Sequence, residues 1–442
     1  MLVLALALVV VDVRAENSPA SDAAPATYPF TFDTLLADAK RRATTPYAPQ
    51  RNRLPVGLDK LSPEQYRSIR FNPDAGIWRN EKLPFRLELL RAGSTVQTVV
   101  TVSTVEDGMA QDVTATPAMF QMQSTLTAQL SKVSLPLSGF RIRSRINSNK
   151  VWDEFLVFQG ASYFRAVGKG LLYGASARGL AINTAEPSGE EFPAFTHFWI
   201  ERPGPHANAI VIYALLESES ATGAYRFTVQ PGVETLMDVD FTLFPRTEVH
   251  VAGIAPLTSM FLFDETNRGR LDDYRPEVHD SDGLQIESQA GEHIFRQLAN
   301  PLKLQVSTFT TQQPHGFGLV QRSRQQSDFQ DFEAQYERRP SGWRRFCPWT
   351  GAAAVPRTRR SGRRNAPDVP RSGVAQYAKM PRHCRWSRAP TESRPARRSR
   401  RPNRPEVQPT RSAAAHTAPR NPESRSAAGT AAPGRNRAAA AS

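Results

Sequence analysis

The sequence predicts a mainly β fold, a large β-sandwich, and three observations carry that reading. Short runs of alternating apolar and polar residues recur from about residue 84 to 321, Gly- and Pro-containing turns separate them, and only two segments carry a helical pattern. In chain order, Phe30, Phe32, Leu35, Leu36 and Ala39 share one face around TFDTLLADAKRRA (31–43), which predicts a first short helix. Ser62, Pro63, Glu64 and Gln65 form a capping-box start for a second. Strands are predicted near 86–90, 97–102, 155–159, 210–216, 258–263, 303–309 and 317–321. The clearest pair is Tyr225, Phe227 and Val229 followed by Met237, Val239, Phe241 and Leu243, with Pro231 and Gly232 between, which predicts a hairpin. No repeat of fixed period is present.

Charge divides the chain at about residue 340. The 442 residues carry a formal net charge of +14, but residues 1–340 carry −5 and residues 341–442 carry +19. The last 102 residues hold 13 Pro, four Val and one Phe, no Leu, no Ile, and both cysteines, Cys347 and Cys384. Such a composition buries too little apolar surface to offset chain entropy, so 341–442 is expected to be a disordered Arg/Ala/Pro-rich tail. A nucleic-acid function inferred from the overall basicity would rest on that tail alone, and we expect no nucleic-acid partner. At the other end, MLVLALALVV (1–10) followed by Val13, Arg14 and Ala15 reads as a signal peptide over 1–15, with a polar spacer over 16–27. No later run is long and apolar enough to insert stably in a membrane, and the composition fits an exported, periplasmic protein.

Several chemistries lack their residues. Gly168, Gly170 and Gly174 miss the dinucleotide spacing, so that segment reads as turn glycines. The eight histidines show no paired metal-binding spacing, the cysteines fit no zinc knuckle, and no nucleophile elbow is present. Neither a metal nor a cofactor is expected. The loop 272–283 is more informative, because it packs Asp272, Asp273, Glu277, Asp280 and Asp282 with Tyr274, Arg275 and His279. Carboxylates in unlike surroundings titrate apart, as acid-base work on a glycosidic bond requires, although a solvated turn has the same composition. A second cluster, 188–202, sets Phe192, Phe195, Phe198 and Trp199 among Glu190, Glu191, His197, Glu201 and Arg202. It suits sugar rings, or equally an aromatic core strand with a charged edge. A third polar segment, 328–340, ends at the charge break.

Longer stretches carry a resemblance. RFNPDAGIW (70–78), GASYFRAVGKGLLYGASARGLAINTAEPSGEEFPAFTHFWIERP (160–203), ATGAYRFTVQPG (221–232), APLTSMFLF (255–263), YRPEVHDSDGL (274–284), PHGFGLVQR (314–322) and YERRPS (336–341) occur in order. Over about 28–341 the chain resembles the periplasmic glucans biosynthesis protein G/D family, whose members take part in making osmoregulated periplasmic glucans in Gram-negative bacteria. The resemblance implies a galactose-mutarotase-like β-sandwich over 28–340, an immunoglobulin-like domain after it, and a β-1,2-linked glucan held in a cleft. A further implied partner is the inner-membrane glucan synthase.

Family members of the D type resemble inverting glycoside hydrolases, in which one Asp is the general acid and a second draws a proton from water through a relay. By resemblance the second Asp matches Asp280, and the Tyr of the family's YxxRP motif matches Tyr336. Tyr274, Arg275, Glu277 and His279 flank Asp280 and are expected to bind substrate. The general acid belongs to an acidic strand after YERRPS, and that strand is missing, as is the immunoglobulin-like domain. Asp368 stands near the right spacing, but its neighbours match nothing in the family. Enrichment in Arg, Ala, Pro, Gly and Ser is what an out-of-frame reading of a GC-rich gene produces, so a frameshift just after Ser341 is expected; a basic tail for nucleic acid or anionic lipid is the alternative. The expected function is therefore glucan biosynthesis by acting on or binding the backbone, with a non-catalytic assembly factor or a degenerate copy as the alternative.

Overall fold

The computed structural model describes residues 26–49, 54, 58, 60–94, 96–123, 126, 130, 135–269, 271–309 and 314–339, and the strand backbones 342–345 and 385–387. The signal peptide, nearly all of the spacer, both cysteines and Asp368 lie outside these residues. Residues 388–442 lie wholly outside the described set.

Both helices form where the sequence predicts them, the first from its apolar face and the second from its capping box. The side chain of Thr31 accepts from the Thr34 N–H to start α1 (Phe32–Ala43), and Ser62 and Gln65 cap each other to start α2 (Pro63–Ser68). The strands of the N-terminal half are β1 (Thr27–Pro29), β2 (Arg70–Phe71), β3 (Arg86–Arg91), β4 (Thr101–Glu106), β5 (Met109–Asp112), β6 (Phe120–Gln121), β7 (Leu137–Ser144), β8 (Asp153–Gln159), β9 (Tyr163–Ala166), β10 (Ser176–Arg178), β11 (Leu180–Ile182) and β12 (Ala194–Glu201). They are followed by β13 (Ile210–Glu217), β14 (Ala221–Gln230), β15 (Leu236–Pro245), β16 (Ala252–Ile254), β17 (Leu257–Thr258), β18 (Phe261–Phe263), β19 (Val278–His279), β20 (Gly283–Glu287), β21 (His293–Gln297), β22 (Gly316–Val320), β23 (Gly342–Arg345) and β24 (Arg385–Ser387).

Two large sheets make a sandwich. One has the order β17-β10-β9-β8-β7-β3; the other is twelve-stranded, β1-β5-β4-β12-β13-β14-β15-β24-β23-β22-β20-β21. Neighbours in both pair antiparallel, apart from the parallel β4–β12 contact. The sheets face each other across one apolar core, in which Phe140, Phe158 and Phe164 of the smaller sheet meet Phe195, Phe198 and Phe227 of the larger. On the other face of the larger sheet, Phe30, Leu35 and Ala39 from α1 and the residues before it pack on Trp199, Tyr213 and Ala224. The predicted hairpin is β14–β15, with Tyr225 opposite Phe241, Phe227 opposite Val239 and Val229 opposite Met237.

Three strand predictions need correction. Within 97–102 the ladder begins only at Thr101, while Val100 makes an isolated bridge to Leu137. The run 258–263 splits, because β17 pairs with β10 whereas β18 turns to pair with β19. Residues 303–309 form no strand; Leu304 and Val306 alternate as a strand would but stay exposed, with no ladder partner among the described residues. Alternation marks a strand only where a second backbone supplies the other half of the hydrogen bonds. Conversely, β23 and β24 lie beyond residue 340, where the side-chain pattern predicts no strand. β24 pairs with β15, and β23 joins β24 to β22. An unpaired sheet edge is a template that any extended backbone can satisfy, whatever its side chains.

Candidate functional site

The site forms where 260–283 meets 321–339. β18 and β19 pair with a register shift between Phe261 and Phe263, and the Asp280 N–H donates to Met260 O at 2.9 Å, carrying the ladder one residue past β19. The chain then enters β20 at Gly283. A Cβ there would lie 2.2 Å from the ring of Phe295, a 41% exposed side chain that would have to swing aside.

Asp280 is buried, at 6% exposure, and its Oδ1 has no hydrogen-bond donor among the described residues. Arg339 Nε lies 3.5 Å from that oxygen, an ion pair outside hydrogen-bond geometry, because the same N–H donates to Ala334 O at 3.0 Å. Burial pushes the Asp280 carboxyl above its ordinary value, and the fields of Arg339, Arg165 and His279 only partly oppose it. The Arg339 guanidinium also stands 5.0 Å from the Tyr336 ring centroid, so one cation lies beside both residues. Tyr336 opens a 3-10 turn, Tyr336–Arg338, and its phenol is raised by burial. That turn is pinned by Gln321 Nε2 donating to Tyr336 O at 2.8 Å and by the Leu172 N–H donating to Arg338 O at 2.9 Å. The glycine-rich loop 168–174 is therefore a docking surface for the Tyr336 turn.

The flanking residues brace Asp280. His279 is fully buried, with Nε2 2.7 Å from Glu277 Oε2, and Ser323 Oγ donates to Glu277 Oε1 at 3.0 Å. Arg275 makes a two-pronged contact with Asp273, at 2.9 and 2.6 Å, and reaches Asp331 Oδ2 at 2.7 Å. Hydrogen bonds from Arg275 hold the Asp273 carboxyl down at about 2. Asp331 is lowered mainly by the Ala334 N–H. Asp282 is tied to Arg322 Nε at 2.6 Å. Asp280 thus keeps an oxygen free of donors while Asp273, Glu277, Asp282 and Asp331 are engaged.

The structure places Asp280 and Tyr336 beside the same arginine, Arg339, and sets Arg275, Glu277 and His279 in the shell behind Asp280. Tyr274 instead projects outward, 77% exposed, with the Arg275 guanidinium 6.0 Å from its ring. Sequence reasoning missed Arg339 and Arg165. Both lie inside segments quoted for the resemblance, but a loop arginine carries no local signal of the carboxylate it will meet. In the second cluster, Phe195, Phe198 and Trp199 are core residues of β12, Glu190 pairs with Arg178 at 2.6 Å, and Glu191 accepts from Ser220. That cluster is an aromatic core strand with a charged edge.

The geometry meets known proteins at this point. Residues 30–347 match the family model described as periplasmic glucan biosynthesis protein, MdoG. The chain is 51% identical over 314 residues to glucans biosynthesis protein G of Shewanella sp. (strain W3-18-1) and of Shewanella putrefaciens (strain CN-32 / ATCC BAA-453), covering 71% of this chain and 58% of each relative. It is 50% identical over the same length to glucans biosynthesis protein G 1 of Shewanella oneidensis. The chain thus spans 58% of the length of the curated relatives it matches. No helix among the described residues is long and apolar enough to cross a membrane. With the match covering most of the sandwich and the whole Asp280 site, the chain belongs to the periplasmic glucan biosynthesis protein MdoG family.

Proposed function

We propose that this chain takes part in osmoregulated periplasmic glucan biosynthesis by holding a β-1,2-linked glucan backbone against Asp280, Tyr336 and Arg339. The observation that carries this reading is the buried Asp280 carboxylate, whose Oδ1 has no donor among the described residues while Asp273, Glu277, Asp282 and Asp331 are paired. A sugar hydroxyl or a water is a fitting donor to that oxygen, and burial strengthens such a bond. A carboxylate raised toward neutrality also accepts a proton more readily than an ordinary Asp, the property a general base needs.

Inverting hydrolysis needs a second carboxyl group roughly 6.5–9.5 Å away as the acid. Asp273, Glu277, Asp282 and Asp331 are committed to Arg275, His279, Arg322 and Arg275 respectively. The engagement of these four favours binding without cleavage, the work of an assembly factor or of a degenerate copy of a glucan-processing enzyme. Glu337, in the Tyr336 turn, is the other carboxyl group here with a buried oxygen, Oε2, that has no hydrogen-bond partner among the described residues. The composition break after Ser341 fits a frameshift, which would remove the acid-bearing strand. The proposed location is the periplasm, beside the inner-membrane glucan synthase.

The test is calorimetric titration of the full chain with linear β-1,2-glucan, alongside an assay of new reducing ends. Binding that Asp280→Asn weakens, without reducing ends, supports the proposal. Absence of binding would overturn it. Cleavage that Asp280→Asn abolishes would mean that an acid is supplied from elsewhere in the chain.

A further inference from the structure

A cleft of about 620 Å³ opens among α2, β2, β3, β6 and β7, and its wall contains no residue of the Asp280 site. Among the described residues five arginines line it, Arg67, Arg70, Arg91, Arg141 and Arg143, and no carboxylate does. Two of them are already neutralised from behind. Glu88 pairs with Arg141 at 2.6 Å and with Arg143 at 2.7 Å, and Glu154 pairs with Arg141 at 2.8 Å. Arg67, Arg70 and Arg91 have no ion pair among the described residues.

Arg91 is the unusual member. Only 5% of it is exposed, yet among the described residues its Nε and Nη1 have no hydrogen-bond acceptor, and Nη2 donates to Ile69 O at 3.2 Å. The Tyr66 ring stacks on the guanidinium at 3.7 Å, and Tyr66 Oη and Ser138 Oγ both donate to the Arg91 carbonyl, at 3.1 and 2.9 Å. Side chain and backbone are therefore held in place, while the charge has no counterion among the described residues. A buried cation is costly unless paired, and a guanidinium offers a planar fork of donors that matches phosphate and carboxylate oxygens. The exposed side chains of Arg67 and Arg70 add two mobile cations at the same wall.

We propose that this cleft is an oxyanion site, taking a phosphate or carboxylate group at Arg91 with Arg67 and Arg70 closing over it. The proposal stands apart from the glucan reading, because an unsubstituted glucan carries no anion.

The test titrates the full chain with inorganic phosphate at fixed ionic strength, chloride being the reference, and follows heat and thermal midpoint. Parallel titrations use acetate, glucose and glucose 6-phosphate. The 23 Lys and Arg of residues 341–442 attract anions equally in every variant, so the difference between variants carries the result. Phosphate is expected to raise the midpoint saturably where chloride and glucose do not. The double variant Arg67→Gln/Arg70→Gln, which alters only exposed side chains, is expected to weaken phosphate binding roughly tenfold. Arg91→Met is expected to raise the midpoint without phosphate and to abolish the phosphate-induced rise. Glucose 6-phosphate binding more tightly than phosphate would assign a sugar-borne anion, equal binding a free one, and tighter acetate binding a carboxylate. Unchanged phosphate affinity in the double variant, or an Arg91→Met protein that is less stable yet keeps the full phosphate response, would overturn the proposal.

Discussion

His279 Nε2 lies 2.7 Å from Glu277 Oε2, with both side chains buried immediately behind Asp280. Ser323 Oγ donates to the other Glu277 oxygen, so one carboxylate fixes the imidazole and ties β19 to the segment after β22. Glu277→Ala leaves a buried ring nitrogen and a hydroxyl without their acceptor and is expected to cost about 1–3 kcal/mol. Glu277→Gln, which keeps an acceptor, should cost less. Urea unfolding of both variants checks the order, and equal midpoints would remove the bracing role.

Asp280 gives a pH signature. Its carboxyl is raised by burial, so between its unfolded value of about 3.9 and its higher folded value the native state binds more protons than the unfolded chain. Its favourable contribution is present at acid pH below that window and is lost as pH rises through the folded value. Asp280→Asn is expected to be more stable than the native chain at pH 7, with the difference vanishing toward pH 4. A Tm series over that range reads the effect. A variant that is less stable at neutral pH would show that the charge is compensated after all.

His197 titrates in the opposite sense, on the far side of the larger sheet. Its Nε2 meets Ser103 Oγ at 2.7 Å, Ser103 donates to Asp112 at 2.6 Å, and Trp199 stacks on the ring at 3.7 Å. Burial pushes the imidazole down to about 4, against the pull of Asp112. The unfolded chain therefore takes up the proton first, near pH 6.5, and stability present above that value is lost as pH falls toward 4. His197→Gln is expected to flatten the slope of unfolding free energy between pH 6.5 and 4.5. An unaltered slope would assign the acid sensitivity to other groups.

Gly168 tests the docking loop. A Cβ at this position would lie 2.3 Å from Val233 O, a backbone atom that cannot swing aside. Gly168→Ala is expected to cost about 1–3 kcal/mol and to loosen the Tyr336 turn, because residues 170 and 172 bond Arg338. Glucan affinity should fall with stability. Loss of stability with full affinity would uncouple the loop from the site.

Much of the fold was legible because its signals are local. The alternation of Tyr225, Phe227 and Val229 against Met237, Val239 and Phe241 is the β14–β15 register itself, and Ser62 with Gln65 is the capping box of α2. Residues 303–309 show the limit, since alternation without a partner strand left Leu304 and Val306 exposed. At the site, Asp280 and Tyr336 were legible through their motifs, whereas Arg339 and Arg165 act on Asp280 from segments remote in sequence.

By itself the sequence determined the β-rich class, the two helix starts, the charge break near residue 340 and the motifs that mark the family, because each is written in neighbouring residues. Only the tertiary structure decided which buried carboxylate of the 272–283 loop keeps an oxygen without a donor among the described residues. It also decided that Tyr274 faces outward and that Arg91 is buried with no counterion among the described residues. These outcomes depend on what distant strands bring within a few ångströms, and a carboxylate or guanidinium acquires its chemistry from those neighbours and from loss of water.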